Sequence, residues 1–227
     1  GYLQSEGGHF KHPAQSVNYL ESHDDNTIGD FIRMSLGKVG ASEVVTRAQV
    51  AQLSSEELAI HKLAALNLLT SQGPVMIAQG QSWGRAKVIA NSVGNDQNAG
   101  QLDHNSYEKD DETNWLNWDE KELNHDLVDY YRGLVAIRNK YAEIRNVDTG
   151  YRQFIDGSNE LSYGMNMTGE NQIIVLLNGD QDAGSEFSLP PGIWTILANA
   201  NQASTEGLGS IEKVAEVAEQ SGLILVQ

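Results

Sequence analysis

Apolar and polar positions alternate between two textures along the chain. Ser16 to Leu20 (SVNYL) is a short β-favouring run that breaks into the polar cluster Glu21 to Asn26, which predicts a strand ending in a loop. Asp25, Asn26 or Thr27 can cap a helix after this loop, where Ile28, Phe31, Ile32 and Leu36 recur at helical spacing before Gly37 supplies a stop. Ser54 and Glu57 form a capping-box pair, and Leu58, Leu63, Leu66 and Leu69 mark one helical face behind it. Gly73 and Pro74 end that helix. Val75, Met76, Ile77 and Ala78 then run without alternation, as in a parallel strand buried on both faces, up to Gln79 and Gly80.

From Asn91 to about Asn114 the chain is almost devoid of apolar residues, and a connection this long inside a compact domain is functional or disordered. Asn105, Tyr107, Trp115 and Trp118 at its end favour function, since disordered tracts are poor in aromatics. Helix resumes near Asn124, with Leu127, Val128, Tyr131, Leu134, Val135 and Tyr141 on one side and Asp126 in the first turn. Past Gly150 the texture becomes hairpin-rich: Tyr151 to Ile155, Leu161 to Met167, Gln172 to Leu177, Phe187 to Leu189, Ile193 to Leu197 and Leu223 to Val226 read as short strands. The pattern predicts an α/β region followed by an all-β one, with a boundary near residues 145 to 150.

Charge narrows the choice of partner. With 15 basic and 31 acidic residues the net charge is −16, which repels nucleic acid and anionic membrane surfaces while leaving a neutral polyhydroxyl ligand unaffected. There is no cysteine, so disulfides, thiol nucleophiles and thiolate metal sites are excluded. The sequence as given shows neither a stretch of about 18 apolar residues nor a signal-peptide pattern; a soluble protein is expected, its parent secreted or periplasmic, with the compartment itself left open.

Four segments carry a family resemblance: VNYLESHDDNTIGDFIR (Val17 to Arg33), LLTSQGPVMIAQGQSWGRAK (Leu68 to Lys87), NSYEKDDETNWLNWD (Asn105 to Asp119) and LVDYYRGLVAIRNKY (Leu127 to Tyr141). In this order they resemble the last third of the catalytic barrel of pullulanases, isoamylases and related debranching enzymes of the alpha-amylase superfamily. The first looks like the seventh-strand motif with its His-Asp pair, the second like the helix and strand that close the barrel, the fourth like the final barrel helix. The resemblance implies the last strands and helices of a (β/α)8 TIM-type barrel over residues 1–147 and an antiparallel β-sandwich over residues 148–227. Ser82 departs from the acidic residue common in relatives, and no residue of this chain matches the family's nucleophilic Asp or acid/base Glu.

Retaining glycoside hydrolysis uses two carboxyl groups about 5 Å apart, one attacking the anomeric carbon and one protonating the leaving oxygen. A further carboxylate that binds the distorted, oxocarbenium-like sugar more tightly than the relaxed one also speeds the reaction. The resemblance gives this third role to Asp24 and a supporting hydrogen bond to His23, at the carboxyl end of a barrel strand, where sites of this fold lie. The alternative reading of the pair is an ordinary polar loop; metal-dependent phosphohydrolases need further ligands on an all-helical scaffold. Trp83, Arg85, Asn105 and Tyr107 are the candidate substrate contacts. Asp103, Asp110, Asp111 and Glu112 lack the spacing of a calcium loop and read as solvated surface, so neither a metal nor a cofactor is expected. Gly73, Gly80 and Gly84 read as turn residues, and Asn166 to Thr168 matches a glycosylation sequon.

The resulting expectation is part of a retaining alpha-glucan hydrolase, inactive in isolation because its nucleophile and acid/base lie elsewhere. The competing expectation is a non-catalytic glucan-binding or assembly module. In either case, the missing N-terminal part of the barrel or self-association is expected to cover open sheet edges.

Overall fold

The computed structural model describes residues 9–91, 96–109, 111–145 and 152–227. The boundary expected at 147/148, Asp110 and Tyr151 lie outside them. The helices are α1 (Ile28–Ser35), α2 (Arg47–Val50), α3 (Ser55–Thr70), α4 (Asp111–Asn114), α5 (Glu120–Leu123), α6 (His125–Lys140) and α7 (Ala142–Arg145). The strands are β1 (Arg152–Asp156), β2 (Ser162–Thr168), β3 (Gln172–Asn178), β4 (Ser185–Ala198), β5 (Ser210–Val217) and β6 (Ser221–Val226). The chain divides into two compact units: Gly1–Asn18, Lys62–Met76 and Asp129–Gln227 in one, Tyr19–His61 and Ile77–Val128 in the other.

The first unit is built on one antiparallel sheet of order β1-β2-β3-β6-β4-β5. Ile174, Leu176, Phe187, Trp194, Val217 and Leu225 close a core within the curl of this sheet, while Ile173 and Val175 are buried on the opposite side of β3. The two runs expected at Phe187 to Leu189 and Ile193 to Leu197 are one strand, β4. Pro190, Pro191 and Gly192 sit between them at a shift in register, a place where strands tolerate proline because the ladder is already broken. The indole of the buried Trp194 donates back across the break to Pro190 O at 3.0 Å. β5 was not among the expected strands. Its SIEKVAEV is rich in helix formers, and it is held as a strand by pairing with β4 along one edge. The sequon residue Asn166 is buried in β2 and accepts from Gln172 Nε2 at 3.2 Å.

Arginines close the helices of this unit. Arg138 donates to the carbonyls of Leu69, Ser71 and Gly73 at 2.8, 2.7 and 2.6 Å, satisfying acceptors left open at the C-terminal end of α3. Arg145 does the same for α6 at Arg138 O and Asn139 O. Gly133 is required where α6 meets the loop after β4, since a Cβ there would lie 2.0 Å from Ala203 O. The expected apolar face of α6 holds at Leu127, Tyr131, Leu134 and Tyr141 and gains Tyr130 and Ile137, whereas Val135 is exposed.

The strands expected at Ser16 to Leu20 and Val75 to Ala78 are reduced to a single parallel bridge, Asn18 to Val75, made by Asn18 N to Pro74 O and Met76 N to Asn18 O at 3.0 and 2.9 Å. Parallel strands depend on neighbours and on cover over both faces, and Val17 and Met76 beside this bridge are exposed.

In the second unit the capping box of α3 forms as the sequence predicts, with Ser54 N donating to Glu57 Oε2 at 2.6 Å and Glu57 N to Ser54 Oγ at 3.3 Å. α1 differs from expectation in the face it buries. Ile32 is inside, but so are Asp30 and Arg33, while Phe31 is exposed. The helix comes so close to the loop at Gly84 that a Cβ on Gly29 would lie 2.7 Å from Gly84 O. That approach is held by the Arg33 guanidinium, which donates to Val50 O at 2.6 Å, Gly84 O at 3.1 Å and Asp30 Oδ1 at 3.2 Å. Among the described residues, no helix is long and apolar enough to cross a membrane.

Candidate functional site

The segment Glu21 to Thr27 forms a loop whose two ends are tied together. Thr27 caps α1 by accepting from Asp30 N at 3.0 Å and donates its hydroxyl to Arg85 O at 2.8 Å. The Glu21 carboxylate accepts from Ile28 N at 2.6 Å, taking a donor that the first turn of a helix leaves open. Asp25 stands in the left-handed region at φ 61, and its carbonyl accepts from Lys87 Nζ at 2.9 Å. At the tip, His23 Nε2 lies 3.4 Å from Asp24 Oδ2, with both side chains well exposed.

A cleft of about 390 Å³ opens beside this loop, lined by Glu21, Ser22, His23, Thr27, Ala78, Gln79, Arg85, Lys87, Ser106, Tyr107 and Asn114. Of the candidates from sequence, His23, Arg85 and Tyr107 meet here. Asp24 is next to it in the chain without being part of its wall. Asn105 joins Tyr107 in a neighbouring hollow with Lys109 and Asp96, which are themselves ion-paired. Trp83 is not on the cleft wall. It is 4% exposed, its ring centroid lies 5.1 Å from that of Trp118, and its carbonyl accepts from the buried Asn124 at 2.9 Å.

Gly80 explains why Arg85 reaches the cleft. At φ 98 it occupies a conformation suited to glycine, and a Cβ would lie 2.1 Å from Arg85 Cδ, so the arginine stem folds over bare backbone. Gly80→Ala is expected to cost about 1–3 kcal/mol and to expel Arg85. Urea denaturation checks the cost, and wild-type stability in the variant would contradict this account.

Glu21 was not a sequence candidate. Burial pushes its carboxyl from 4.5 up to about 7, against the opposing pull of the Ile28 N–H and of Arg85. Burial also lowers Arg85 and Lys87. Among the described residues, Glu21 is the one carboxyl on the cleft wall. Its signal in the sequence is weak, a single acidic residue seven positions before a helix start. Among the described residues no cluster of three or more His, Asp or Glu suits a metal ion; of the acidic run, Asp103 is buried and accepts from Asn105 N at 2.8 Å. The cleft offers an amide at each of Gln79 and Asn114, a guanidinium, an imidazole and a phenol, a set matched to several hydroxyls at once.

No family model matches the chain. It is similar to the pullulanase of Bacillus subtilis (strain 168), 31% identical over 133 residues, which is 59% of this chain and 15% of the relative. It is also similar to pullulanase A of Streptococcus pneumoniae, 25% identical over 243 aligned positions covering 87% of this chain and 18% of the relative. The chain thus spans less than a fifth of the length of these curated relatives. Among solved structures, the pullulanase from Bacillus acidopullulyticus superposes with a TM-score of 0.79 at 23% identity, over 98% of this chain and 25% of that one. The product complex of the glycogen-degrading pneumococcal virulence factor SpuA does so with a TM-score of 0.76 at 22% identity, over 96% and 26%. The chain is therefore similar to one portion of the pullulanases, and these structures share its fold.

Proposed function

We propose that the chain is part of a retaining alpha-glucan hydrolase of pullulanase type in the alpha-amylase superfamily, with residues 1–147 closing the catalytic barrel and residues 148–227 forming its C-terminal β domain, a single curled sheet in place of the expected sandwich. The observation that carries this reading is the convergence of His23, Arg85 and Tyr107 on one hydrogen-bonding cleft, beside Asp24, in a chain related to pullulanases. Asp24 stabilises the distorted sugar at the transition state, and His23 and Arg85 hold its hydroxyls. Asn105 borders the substrate from the neighbouring hollow. Among the described residues the cleft wall offers one carboxyl, Glu21, where retaining hydrolysis uses two; in this reading the nucleophile and acid/base belong to other parts of the enzyme.

The purified chain is accordingly expected to release no reducing ends from pullulan or starch. Within a polypeptide that supplies the two carboxylates, Asp24→Asn is expected to lower kcat by on the order of 10²-fold while changing KM much less. Turnover by the chain alone, or full kcat in the variant, would refute the assignment. The exposed Val17 and Met76 beside the Asn18 to Val75 bridge support a covering partner there, either the remainder of the barrel or a second copy. Sedimentation of the chain with and without that remainder distinguishes the two.

A further inference from the structure

Beyond the cleft, the second unit holds a hollow of about 350 Å³ bounded in part by Val45, Arg47, Val88, Glu112, Trp115 and Asn117. Its floor is apolar, since Val45 and Val88 belong to a small buried cluster, and its walls are polar. Trp115 is 54% exposed, and an indole left in water beside a concavity is the flat apolar surface that a sugar ring covers. The mounting of this indole is firm. Trp115 N donates to Asp111 O at 2.6 Å, Thr113 Oγ1 accepts from Ala90 N at 3.1 Å, and Arg47 donates to Glu112 O and Thr113 O at 3.3 and 3.5 Å. Arg47 thereby fixes α4, and Trp115 after it, to the rim of the hollow.

We infer that this hollow is a second carbohydrate subsite, separate from the cleft, in which one pyranose ring of a glucan stacks on Trp115 and hydrogen-bonds Arg47, Glu112 and Asn117. The volume is at the small end of ligand sites, suited to a single ring rather than to an extended chain. Neutral sugar avoids the repulsion that a net charge of −16 imposes on anionic ligands. The α-linkage of the glucan rests on the function proposed above; the subsite itself rests on the hollow and its indole.

Maltoheptaose and cellohexaose titrated into the full chain, followed by calorimetry and by the indole N–H resonance of Trp115, test both parts. The expected result is that maltoheptaose shifts that resonance, that Trp115→Ala weakens binding at least roughly tenfold, that Trp115→Phe recovers most of the loss, and that Tyr107→Ala in the cleft leaves the resonance shift intact. Because Trp115 is exposed, its replacement leaves the fold in place, which an unchanged melting profile confirms. Maltoheptaose binding that is insensitive to Trp115→Ala, or no binding at all, overturns the subsite. Trp115-dependent binding of cellohexaose without maltoheptaose upholds the subsite and overturns the alpha-glucan reading.

Discussion

Arg33→Met is expected to lower the stability of the chain by about 3–5 kcal/mol. The guanidinium is almost wholly buried and is the hub of α1: it bonds Asp30, Val50 O and Gly84 O and lies 3.6 Å from Glu57. An apolar side chain of similar length fills the space but leaves two buried carboxyl groups without the facing charge and the Val50 and Gly84 carbonyls without this donor. Burial already raises the Asp30 carboxyl, with the Arg33 charge the main opposing influence, so the variant should take up a proton there. Arg33→Lys should rescue little, because an ammonium cannot span these acceptors as a planar fork does. Adding Asp30→Asn should recover part of the loss. Urea denaturation of the set is the measurement; near-wild-type stability of Arg33→Met would show that the network adds little.

The second large effect appears in the dependence of stability on pH. His61 is fully buried in α3, and burial together with the Arg33 charge pushes its imidazole from 6.5 down to about 3. Its folded-state value lies below the unfolded one, so the unfolded chain binds the proton first. The stability tied to neutral His61 is present above pH 6.5 and is lost as pH falls toward 3, amounting to roughly 5 kcal/mol over that window. Glu21 acts with the opposite sign. Its value is raised from 4.5 to about 7, so its contribution is present below pH 4.5 and is lost as pH rises through 7, by roughly 3 kcal/mol. Between pH 4.5 and 6.5 the two slopes oppose one another. His61→Leu should therefore give a curve that declines with pH in this interval, and Glu21→Gln one that climbs. Curves for the two variants that run parallel to the wild type would sink this account.

The features legible in the sequence and those hidden from it divide on physical grounds. Signals written in a few neighbouring residues are realised: the Ser54 and Glu57 box, the Thr27 cap, and most of the face of α6. Periodicity misreads α1 because it assumes an apolar inner face, whereas Asp30 and Arg33 are buried through partners at positions 50 and 84. β5 escapes notice for a related reason, since its strand state comes from β4 and not from its own residues. At the cleft, the His23 and Asp24 pair is legible as a motif, and Arg85 and Tyr107 join His23 in space. Glu21 and the burial of Trp83 are products of tertiary packing, and no local pattern announces them.

Among the described residues one edge of β5 has no strand beside it, with a consequence for colloidal behaviour. An exposed strand edge is a template for pairing with another chain. This edge carries Glu212 and Glu216, the latter directly opposite Glu186 on β4, and Lys213 interrupts its extended backbone at φ 64. A second sheet approaching it meets like charge and a kinked ladder, so this edge is guarded against fibril-like growth, and intermolecular association is steered away from it.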